Sequence, residues 1–290
     1  MSIRRTIAGR LDTYQRVLVW GAGNMGRNAV RRWLPLDKVV AVVDSNPDKL
    51  GEWLCGIPIK SPTAIAEVQP ECIVICTHAA AEVQGILDRE NLRVPSFFIH
   101  ELFLPVSGHE SMSAMSCLSV DLAASRYATW PLLLLHKPQI LVNCSFRWVQ
   151  AAASCRLLYP LYPLLYIFHY LACAAFSIQL PHNAKVGPGL IFAHYGAIVF
   201  SARAKIGAFF TIYHGCTVGT DESGAAPVIG DFVTQFSGSH VLGRCQIGNK
   251  VRIGANAVVL ALHAPDSATV VGVPARVLQK NSDRSVHAAN

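Results

Sequence analysis

The feature that most constrains this chain is an aliphatic residue that recurs every six residues through its last third. One six-residue grid carries Ile229, Val241, Ile247, Ile253 and Val259, and only Gln235 interrupts the apolar run on it. Two earlier blocks have the same period: Phe200, Ile206, Ile212 and Val218, and, shifted by two residues, Val186, Phe192 and Ile198. A hexapeptide repeat indicates a parallel β-helix, in which each rung gives one short strand and one turn. The sequence therefore predicts about five coils between Ala184 and Val277.

Glycine often follows the aliphatic residue of a rung. It does so at Gly207, Gly219, Gly230, Gly248 and Gly254. We expect these glycines to provide a turn geometry that a Cβ atom would obstruct.

Length and composition favour a two-domain protein with small-molecule partners. The chain has 290 residues, of which 52% are hydrophobic and 15% charged, with a net charge of +7. The basic residues are scattered, so we expect phosphate-rich small molecules and no nucleic acid as partners. The nine cysteines have no zinc or disulfide spacing, and residues 1–16 lack the apolar core of a secretory signal. These features favour a cytoplasmic protein with reduced thiols and no metal site.

A glycine-rich turn lies near the start of the chain. The segment Gly21-Ala-Gly-Asn-Met-Gly26 separates an apolar strand from a helix-like run, and a second strand, Val39–Val43, ends at Asp44. Such a turn lets the backbone approach a phosphate at a helix N-terminus. We therefore expect Gly21, Gly23 and Gly26 to contact a nucleotide and Asp44 to bind its ribose hydroxyls. The same turn also occurs in domains that bind no nucleotide.

This front segment resembles the small Rossmann-like domains that precede some sugar-modifying acetyltransferases and other polysaccharide enzymes. The features that carry the resemblance are Gly21–Gly26, Asp44-Ser-Asn-Pro47 and the segment from Gly56 to Pro62. The resemblance implies an α/β fold and a nucleotide or nucleotide-sugar ligand. It carries over no catalytic residue.

The middle of the chain is predicted to be a linker followed by apolar helices. Residues 107–119 are rich in Ser, Met and Gly, and the run from Leu157 to Phe176 has twenty residues without a charge, long enough to span a bilayer. Two prolines, one histidine and several tyrosines favour a buried helical cap between the domains instead. Association with a membrane surface stays open.

Three segments of the repeat region resemble hexapeptide-repeat acyltransferases of the serine acetyltransferase type. They are Ala184–Val199, Ile253–Val259 and Gly272–Val277, within a similarity from about Leu141 to Lys280. The resemblance implies a left-handed β-helix, a homotrimer, and transfer of an acetyl group from acetyl-CoA to a hydroxyl. His194 occupies the position of the family's catalytic base, where a neutral imidazole can accept the hydroxyl proton. The positions that it implies for acetyl-CoA binding are Gly254, Ala255, Gly272, Pro274, Arg276 and Lys280.

The chain departs from this family at acceptor-binding positions. Gln179 stands where the family has an aspartate that pairs with the histidine, and Ala193 stands where it has the acid that holds the amino acid. The loop Thr220–Pro227 is shorter and lacks a basic pair. We therefore expect the hydroxyl of a sugar or nucleotide-sugar as acceptor, since it needs only neutral partners. The expected acceptor contacts are Gln179, Tyr195, Tyr213 and His214.

Two other functions stay open: serine O-acetylation, and a non-catalytic nucleotide-sugar-binding scaffold. The predicted architecture is a Rossmann-like α/β domain over residues 15–106, a linker and helical connector over 107–178, and a left-handed β-helix over 179–280. Phe209, Phe210 and Phe232 are expected to be apolar residues that the coils alone leave uncovered, which also favours a homotrimer.

Overall fold

The computed structural model describes residues 3–77, 80–104, 112–125 and 137–278. The chain divides into two compact units, Met1–Ser111 and Met112–Asn290.

The first unit contains a six-stranded sheet. Its strands are β1 (Val17–Trp20), β2 (Val39–Val43), β3 (Trp53–Leu54), β4 (Ile57–Lys60), β5 (Cys72–Ile75) and β6 (Ser96–Phe98). They lie in the order β3-β4-β2-β1-β5-β6, and among these strands only the β3–β4 pair is antiparallel. The helices are α1 (Ile3–Arg10), α2 (Asn24–Asn28, continued by a π-helical turn over Ala29–Trp33), α3 (Ile65–Val68) and α4 (Ala80–Arg89). Short 3-10 turns cover Leu36–Lys38, Pro47–Lys49, Pro62–Ala64 and Glu101–Phe103.

The interior strands of this sheet are fully apolar. Every residue of β1 and β5 is buried, as expected for parallel strands that are covered on both faces. Cys72 and Cys76 share that environment, and burial raises the pKa of Cys72 to about 12 and raises the pKa of Cys76 as well. Both groups are therefore neutral thiols in the core.

Within the described ranges, the second unit begins with three helices. They are α5 (Ala114–Ala124), α6 (Ile140–Ser154) and α7 (Tyr162–Ala175), with a 3-10 turn over Tyr159–Leu161 before α7. Among the helices within the described ranges, none combines the length and apolar character that a bilayer crossing requires.

Short strands then form three sheets. The first contains β7 (Ile178–Gln179), β10 (Ile198–Phe200), β13 (Thr217–Gly219), β16 (His240–Leu242) and β19 (Val258–Leu260). The second contains β8 (Lys185–Val186), β11 (Lys205–Ile206), β14 (Val228–Ile229), β17 (Gln246–Ile247) and β20 (His263–Ala264). The third contains β9 (Ile191–Phe192), β12 (Thr211–Ile212), β15 (Thr234–Gln235), β18 (Arg252–Ile253), β21 (Thr269–Gly272) and β22 (Ala275–Val277).

Successive strands pass through the three sheets in turn, so each set of three strands makes one coil. All pairs between coils are parallel, and only the final β21–β22 hairpin is antiparallel among the strands of this unit. The arrangement is consistent with a left-handed parallel β-helix, and the predicted number of five coils is present. The aliphatic residues of the repeat fill its interior, where Ile212, Val218 and Val241 are completely buried. Gln235, the interruption of the repeat, is also buried, and its Nε2 donates to the carbonyls of Thr217 and Ser239.

The glycines of the repeat are needed for space and not for backbone conformation. Gly207, Gly230 and Gly248 lack positive φ, but a Cβ on each would approach an Asp or Asn side-chain oxygen of the next coil to 2.6 Å or less. The left-handed residue of each corner comes two positions later, for example Phe209 and Phe232 with φ of 54° and 59°. The predicted role of these glycines in the turn is thus corrected to that of close approach between coils.

The phenylalanines that were expected to need cover already have it within the chain. Phe209 and Phe210 are at most 3% exposed, and Phe232 stacks on Phe209 with ring centroids 5.1 Å apart. The expectation that these residues favour a trimer was therefore wrong.

Helix α6 covers the first coil through hydrogen bonds to its backbone. Successive coils exchange backbone hydrogen bonds, as Ile191 N donates to Phe210 O and Phe209 N donates to Pro188 O, but the carbonyls of the first coil that face away from the second have no neighbouring coil. Polar side chains of the residue that caps α6 and of three residues within the helix donate to them instead. The bonds run from Gln139 to Phe192 O, Asn143 to Leu190 O, Arg147 to Val186 O and Gly187 O, and Gln150 to His182 O and Ala184 O.

A buried ion pair completes this polar row, which we call the α6 clamp (Gln139, Asn143, Arg147 and Gln150). Arg147 Nε donates to Asp121 Oδ2 of α5 over 2.9 Å, and both side chains are at most 2% exposed. Asp121 Oδ1 accepts from the amides of Gly189 and Leu190. Because each charge is paired and hydrogen-bonded, the cost of removing it from water is offset.

The prediction that Leu157–Phe176 is a buried cap was wrong. A turn at Tyr159–Leu161 separates Leu157 from α7, and α7 buries only His169, Ala172 and Cys173. Its other side chains are exposed or half-buried, because the helix packs on α6 and the first coil along one narrow face.

Candidate active site

His194 lies at a corner of the β-helix, where the chain leaves the third sheet for the first. The register pairs Ile191 with Thr211 and Thr211 with Thr234, so residues at equivalent positions stack from coil to coil. The same corner is therefore occupied in successive coils by His194, His214, Ser237, Ala255 and Gly272. We call these five residues the corner column.

The structure brings together three of the predicted site residues. The His194 ring lies 5.8 Å from that of His214 and 5.7 Å from that of Tyr213, measured between centroids. His194 and His214 are both exposed, whereas Tyr213 is half-buried. An imidazole in this position is accessible to substrate and has a second imidazole beside it.

Two residues that the sequence did not single out extend this cluster. Phe236 lies 5.2 Å from Tyr213, and the Arg252 guanidinium lies 5.4 Å from the Phe236 ring centroid. The surface next to His194 is thus a row of tilted rings in contact that ends in a cation.

The two other predicted acceptor residues have different surroundings. Tyr195 is half exposed and makes an edge contact with Phe176 at 5.3 Å. Gln179 lies on β7, paired with Val199, and its side chain is exposed on the first sheet.

The residues predicted to bind acetyl-CoA lie further along the prism. Gly254 and Ala255 follow β18, and Ala255 belongs to the corner column, three coils from His194, or roughly 14 Å at the usual spacing of strands. Gly272, Pro274 and Arg276 belong to the β21–β22 hairpin, where Gly272 has φ of 98°. Lys280 lies outside the described residues.

The loop Thr220–Pro227 is held by its own contacts. Asp221 accepts from the Ser223 hydroxyl and the Ala225 amide, and the Ser223 hydroxyl is the main reason that the pKa of Asp221 is lowered. Arg203, which lies in the preceding coil, donates from its Nη1 to Gly224 O of the loop. Asp221 therefore belongs to the structure of the loop.

Acidic residues are absent from the sequence between Asp121 and Asp221. Because the first two coils lie within this stretch, neither can supply a carboxylate to His194. Asp121 itself is committed to Arg147 and to backbone amides. The imidazole of His194 thus has aromatic neighbours in place of an acid from its own coils.

The glycine-rich turn of the first unit contains two glycines that leave no room for a side chain. A Cβ on Gly21 would lie 2.7 Å from Cys76 O, and one on Gly26 would lie 1.7 Å from Gly21 O. A Cβ on Gly23 would have nothing within 4 Å, and the φ of this residue is an ordinary −73°. The fold therefore requires glycine at two of the three positions, and Gly23 faces open space.

Asp44 is held within the first unit. Its Oδ2 accepts from Ala22 N at 2.7 Å and from Lys49 Nζ at 3.1 Å, and its Oδ1 accepts from Asn46 N. Burial acts to raise the pKa of Asp44, but these hydrogen bonds outweigh it and the pKa is lowered. A ribose would have to displace or share these donors.

Several proteins similar to this chain are serine acetyltransferases. The chain is 33% identical over 155 residues to serine acetyltransferase of Helicobacter pylori strain J99, which covers 52% of this chain and 87% of the relative. It is 36% identical over 111 residues to that of Synechococcus elongatus, of which it spans 45%. Among solved structures, soybean serine acetyltransferase apoenzyme matches with a TM-score of 0.48 and 29% identity, over 57% of this chain and 69% of that one. No protein-family model matches the chain.

Together with the similarity to acetyltransferases, the prism of hexapeptide coils identifies the chain as a hexapeptide-repeat acyltransferase. The 33% identity over 87% of the length of the Helicobacter pylori enzyme defines the family within this class. The chain belongs to the serine acetyltransferase family.

Proposed function

We propose that this protein is an acetyl-CoA-dependent O-acetyltransferase that uses serine as acceptor. The observation that carries the proposal is the similarity to serine acetyltransferase of Helicobacter pylori over most of that enzyme's length. The exposed His194 of the corner column supplies a base, and Ala255 and Gly272 of the same column supply an edge along which the donor can lie.

The chemistry needs one proton to move twice. Neutral His194 takes the proton of the acceptor hydroxyl as its oxygen attacks the thioester carbonyl carbon of acetyl-CoA. The tetrahedral intermediate then collapses, the carbon–sulfur bond breaks, and the imidazolium returns the proton to the departing thiolate. The products are the O-acetyl ester and free CoA.

A sugar hydroxyl is a second candidate acceptor, and a specific observation favours it. An amino acid carries two full charges, and the first two coils contain no carboxylate for its ammonium group. The row His194, Tyr213 and Phe236 offers rings on which a sugar can stack. The names of the relatives favour serine over a sugar.

One assay separates these acceptors. Release of CoA thiol from acetyl-CoA is measured with serine, with a panel of free and nucleotide-linked sugars, and without acceptor. Serine-dependent release, lost in His194→Ala, supports the proposal. Release that depends only on a sugar makes the second candidate correct, and no release with any acceptor contradicts enzymatic function.

We propose in addition that the first unit is a Rossmann-like domain that binds a nucleotide or nucleotide-sugar. The parallel order of β4-β2-β1-β5-β6 and the turn at Gly21–Gly26 support this proposal. The division into residues 15–106, 107–178 and 179–280 is part of the same proposal.

The open space at Gly23 allows a test of nucleotide binding that does not disturb the fold. Gly23→Val places its side chain where a phosphate would approach, without a clash in the protein. Calorimetry with NAD(H), NADP(H) and UDP-sugars should show binding to the wild type and none to the variant, at equal thermal stability. Absence of binding to the wild type would make the turn purely structural.

A homotrimer is also proposed, with the outer face of the first sheet as the contact. That face carries Val199, Val258 and Leu260, whereas the outer face of the second sheet carries Lys185 and Lys205. The outer face of the first sheet is therefore more apolar than that of the second, and burying it in a subunit contact costs less desolvation free energy.

A further inference from the structure

Helix α7 and the turn before it expose an unusually apolar surface. The exposed side chains, which we call the α7 face, are Leu157, Leu158, Tyr159, Leu161, Leu164, Tyr166, Ile167, Phe168, Tyr170 and Leu171, between 37% and 87% exposed. Their combined area is on the order of 1,000 Å², whereas a typical monomer exposes patches of roughly 300–600 Å². A surface of this size indicates a binding partner.

The α7 face extends further around the circumference of helix α7 than a flat contact with another protein would cover. The buried residues His169, Ala172 and Cys173 occupy about a third of the circumference, and the exposed residues span roughly 200°. No charged side chain lies anywhere between Leu157 and Phe176. A helix that projects in this way suits immersion in a fluid apolar medium.

Amphipathic aromatic side chains flank the aliphatic centre. Leu164, Ile167 and Leu171 share the middle of the arc, with Tyr166 and Tyr170 on one side. On the other side Phe168 stacks on the half-exposed Trp148 of α6, with centroids 6.3 Å apart. Tyrosine and tryptophan prefer the level where lipid headgroups meet acyl chains.

The distribution of charge around the α7 face favours a lipid surface over another protein as its partner. The 99 residues from Leu122 to Thr220 contain seven basic residues and no acidic one. Arg156, immediately before the α7 face, is exposed, as are Lys185, Arg203 and Lys205 on the first coils. This half of the unit is therefore attracted to an anionic surface.

We propose that the α7 face binds an anionic lipid bilayer, with α7 lying in the plane of the membrane surface. The aliphatic centre enters the acyl boundary, the tyrosines and Trp148 lie at headgroup level, and Arg156, next to the α7 face in the chain, pairs with the lipid phosphates. The acetyl transfer would then take place beside a membrane. Lipid binding by this face does not depend on which acceptor the enzyme uses.

Vesicle sedimentation of the full chain tests the proposal. Vesicles of phosphatidylcholine and phosphatidylglycerol at about 3:1 should sediment the wild type, and vesicles of phosphatidylcholine alone should do so more weakly. Raising the salt from about 0.1 M to about 0.5 M should weaken the binding, because it screens the attraction. Leu164→Glu should lower the partition coefficient by at least about tenfold.

A matched variant controls for the added charge. Trp53→Glu changes a side chain of similar exposure (69% against 65% for Leu164) in the first unit and should bind vesicles as the wild type does. Both positions are exposed, so thermal melting should show that both variants fold. Equal vesicle binding by the two variants would overturn the proposal. The proposal would also be overturned if Leu164→Glu lowered the molecular mass measured without lipid and left vesicle binding unchanged. A second copy of the chain would then cover the α7 face.

Discussion

His194 is the residue on which the proposed chemistry depends. It is exposed, it has aromatic neighbours, and no carboxylate in the first two coils can orient it. The ring of His214, one coil away, is the neighbouring imidazole that could act as base in its place. Replacing each histidine separately shows which of the two is the base.

We expect His194→Ala to lower kcat by roughly 10²–10⁴-fold with little change in affinity for acetyl-CoA, because a general base acts in the transition state. Steady-state kinetics at saturating acetyl-CoA measure this. The control is His263→Ala, which removes an exposed histidine from another sheet. If His214→Ala has the large effect and His194→Ala does not, His214 is the base.

The position of His194 could be predicted because a specific motif surrounds it, but its neighbours could be predicted only in part. Tyr213 and His214 follow one coil later, directly after the strand in which Thr211 pairs with Ile191. Phe236 and Arg252 could not be found, because Lys205 pairs with Val228 across 23 residues and the six-residue grid breaks at the intervening loop. The register of the third coil, and hence which residues stack over Tyr213, depends on how that loop folds.

At the scale of elements, the α6 clamp connects helix to coil. Its spacing of four, four and three residues is helical, and this signal was available in the sequence between Gln139 and Gln150. The partners of these side chains could not be predicted, since the acceptors are backbone carbonyls and leave no trace in residue type. The same geometry leaves Gln139 Oε1 and Asn143 Oδ1 without a partner among the described residues.

Arg147→Met should lower the free energy of unfolding by about 3–5 kcal/mol, because it leaves the Asp121 carboxylate buried without its cation. Urea unfolding followed by circular dichroism measures the loss. The double variant Asp121→Asn/Arg147→Met should recover a large part of it, since no charge then remains buried. An equal loss in both would show that the hydrogen bonds of Arg147 to the coil, and not its charge, carry the effect.

His169 connects α7 to the first coil and makes this attachment sensitive to pH. Its Nε2 donates to Leu180 O at 2.7 Å, and its Nδ1 faces the Ser145 hydroxyl at 2.9 Å. Burial lowers the pKa of His169, the Leu180 carbonyl acts to raise it, and nearby His182 lowers it further. The folded protein therefore keeps this imidazole neutral at a pH where the unfolded chain is protonated.

Stability should accordingly be level above about pH 6.5, the ordinary histidine value, and fall as the pH drops from there towards the lowered folded pKa. We expect His169→Asn to reduce this loss by up to about 1.4 kcal/mol per pH unit. Urea unfolding at pH 7.5 and pH 5.5 gives the comparison, with His263→Asn as the exposed control. A wild type whose stability changes no more than that of His169→Asn would contradict the assignment.

For the whole molecule, the proposed trimer rests on the apolar outer face of the first sheet. Light scattering should give three times the 31.4 kDa of the chain. Leu260→Glu should shift the mass towards one chain, because Leu260 is 54% exposed on that face. Leu36→Glu, at 48% exposure in the first unit, should leave the mass unchanged. A stable wild-type monomer would contradict the proposal.

The large-scale architecture follows from the sequence better than its surfaces do. The repeat of aliphatic residues predicts the coils because each one is buried in the prism, as Ile212 and Val218 are. Exposure could not be predicted in the same way. Phe209 and Leu164 are both large and apolar, yet one is buried and the other faces solvent, since the corner conformation of Phe209 and the packing of α7 decide the outcome.

The uncovered edge that the first coil would have without α6 has a consequence for assembly. Neighbouring coils exchange backbone hydrogen bonds in both directions, but the side of the first coil that faces away from the second has no coil to pair with. If the α6 clamp were lost, the bare carbonyls from His182 to Phe192 would offer a template to an unpaired strand edge of another molecule. Helix α6 thus also acts as a terminator that prevents head-to-tail polymerisation, and weakening it should promote fibres before it abolishes the fold.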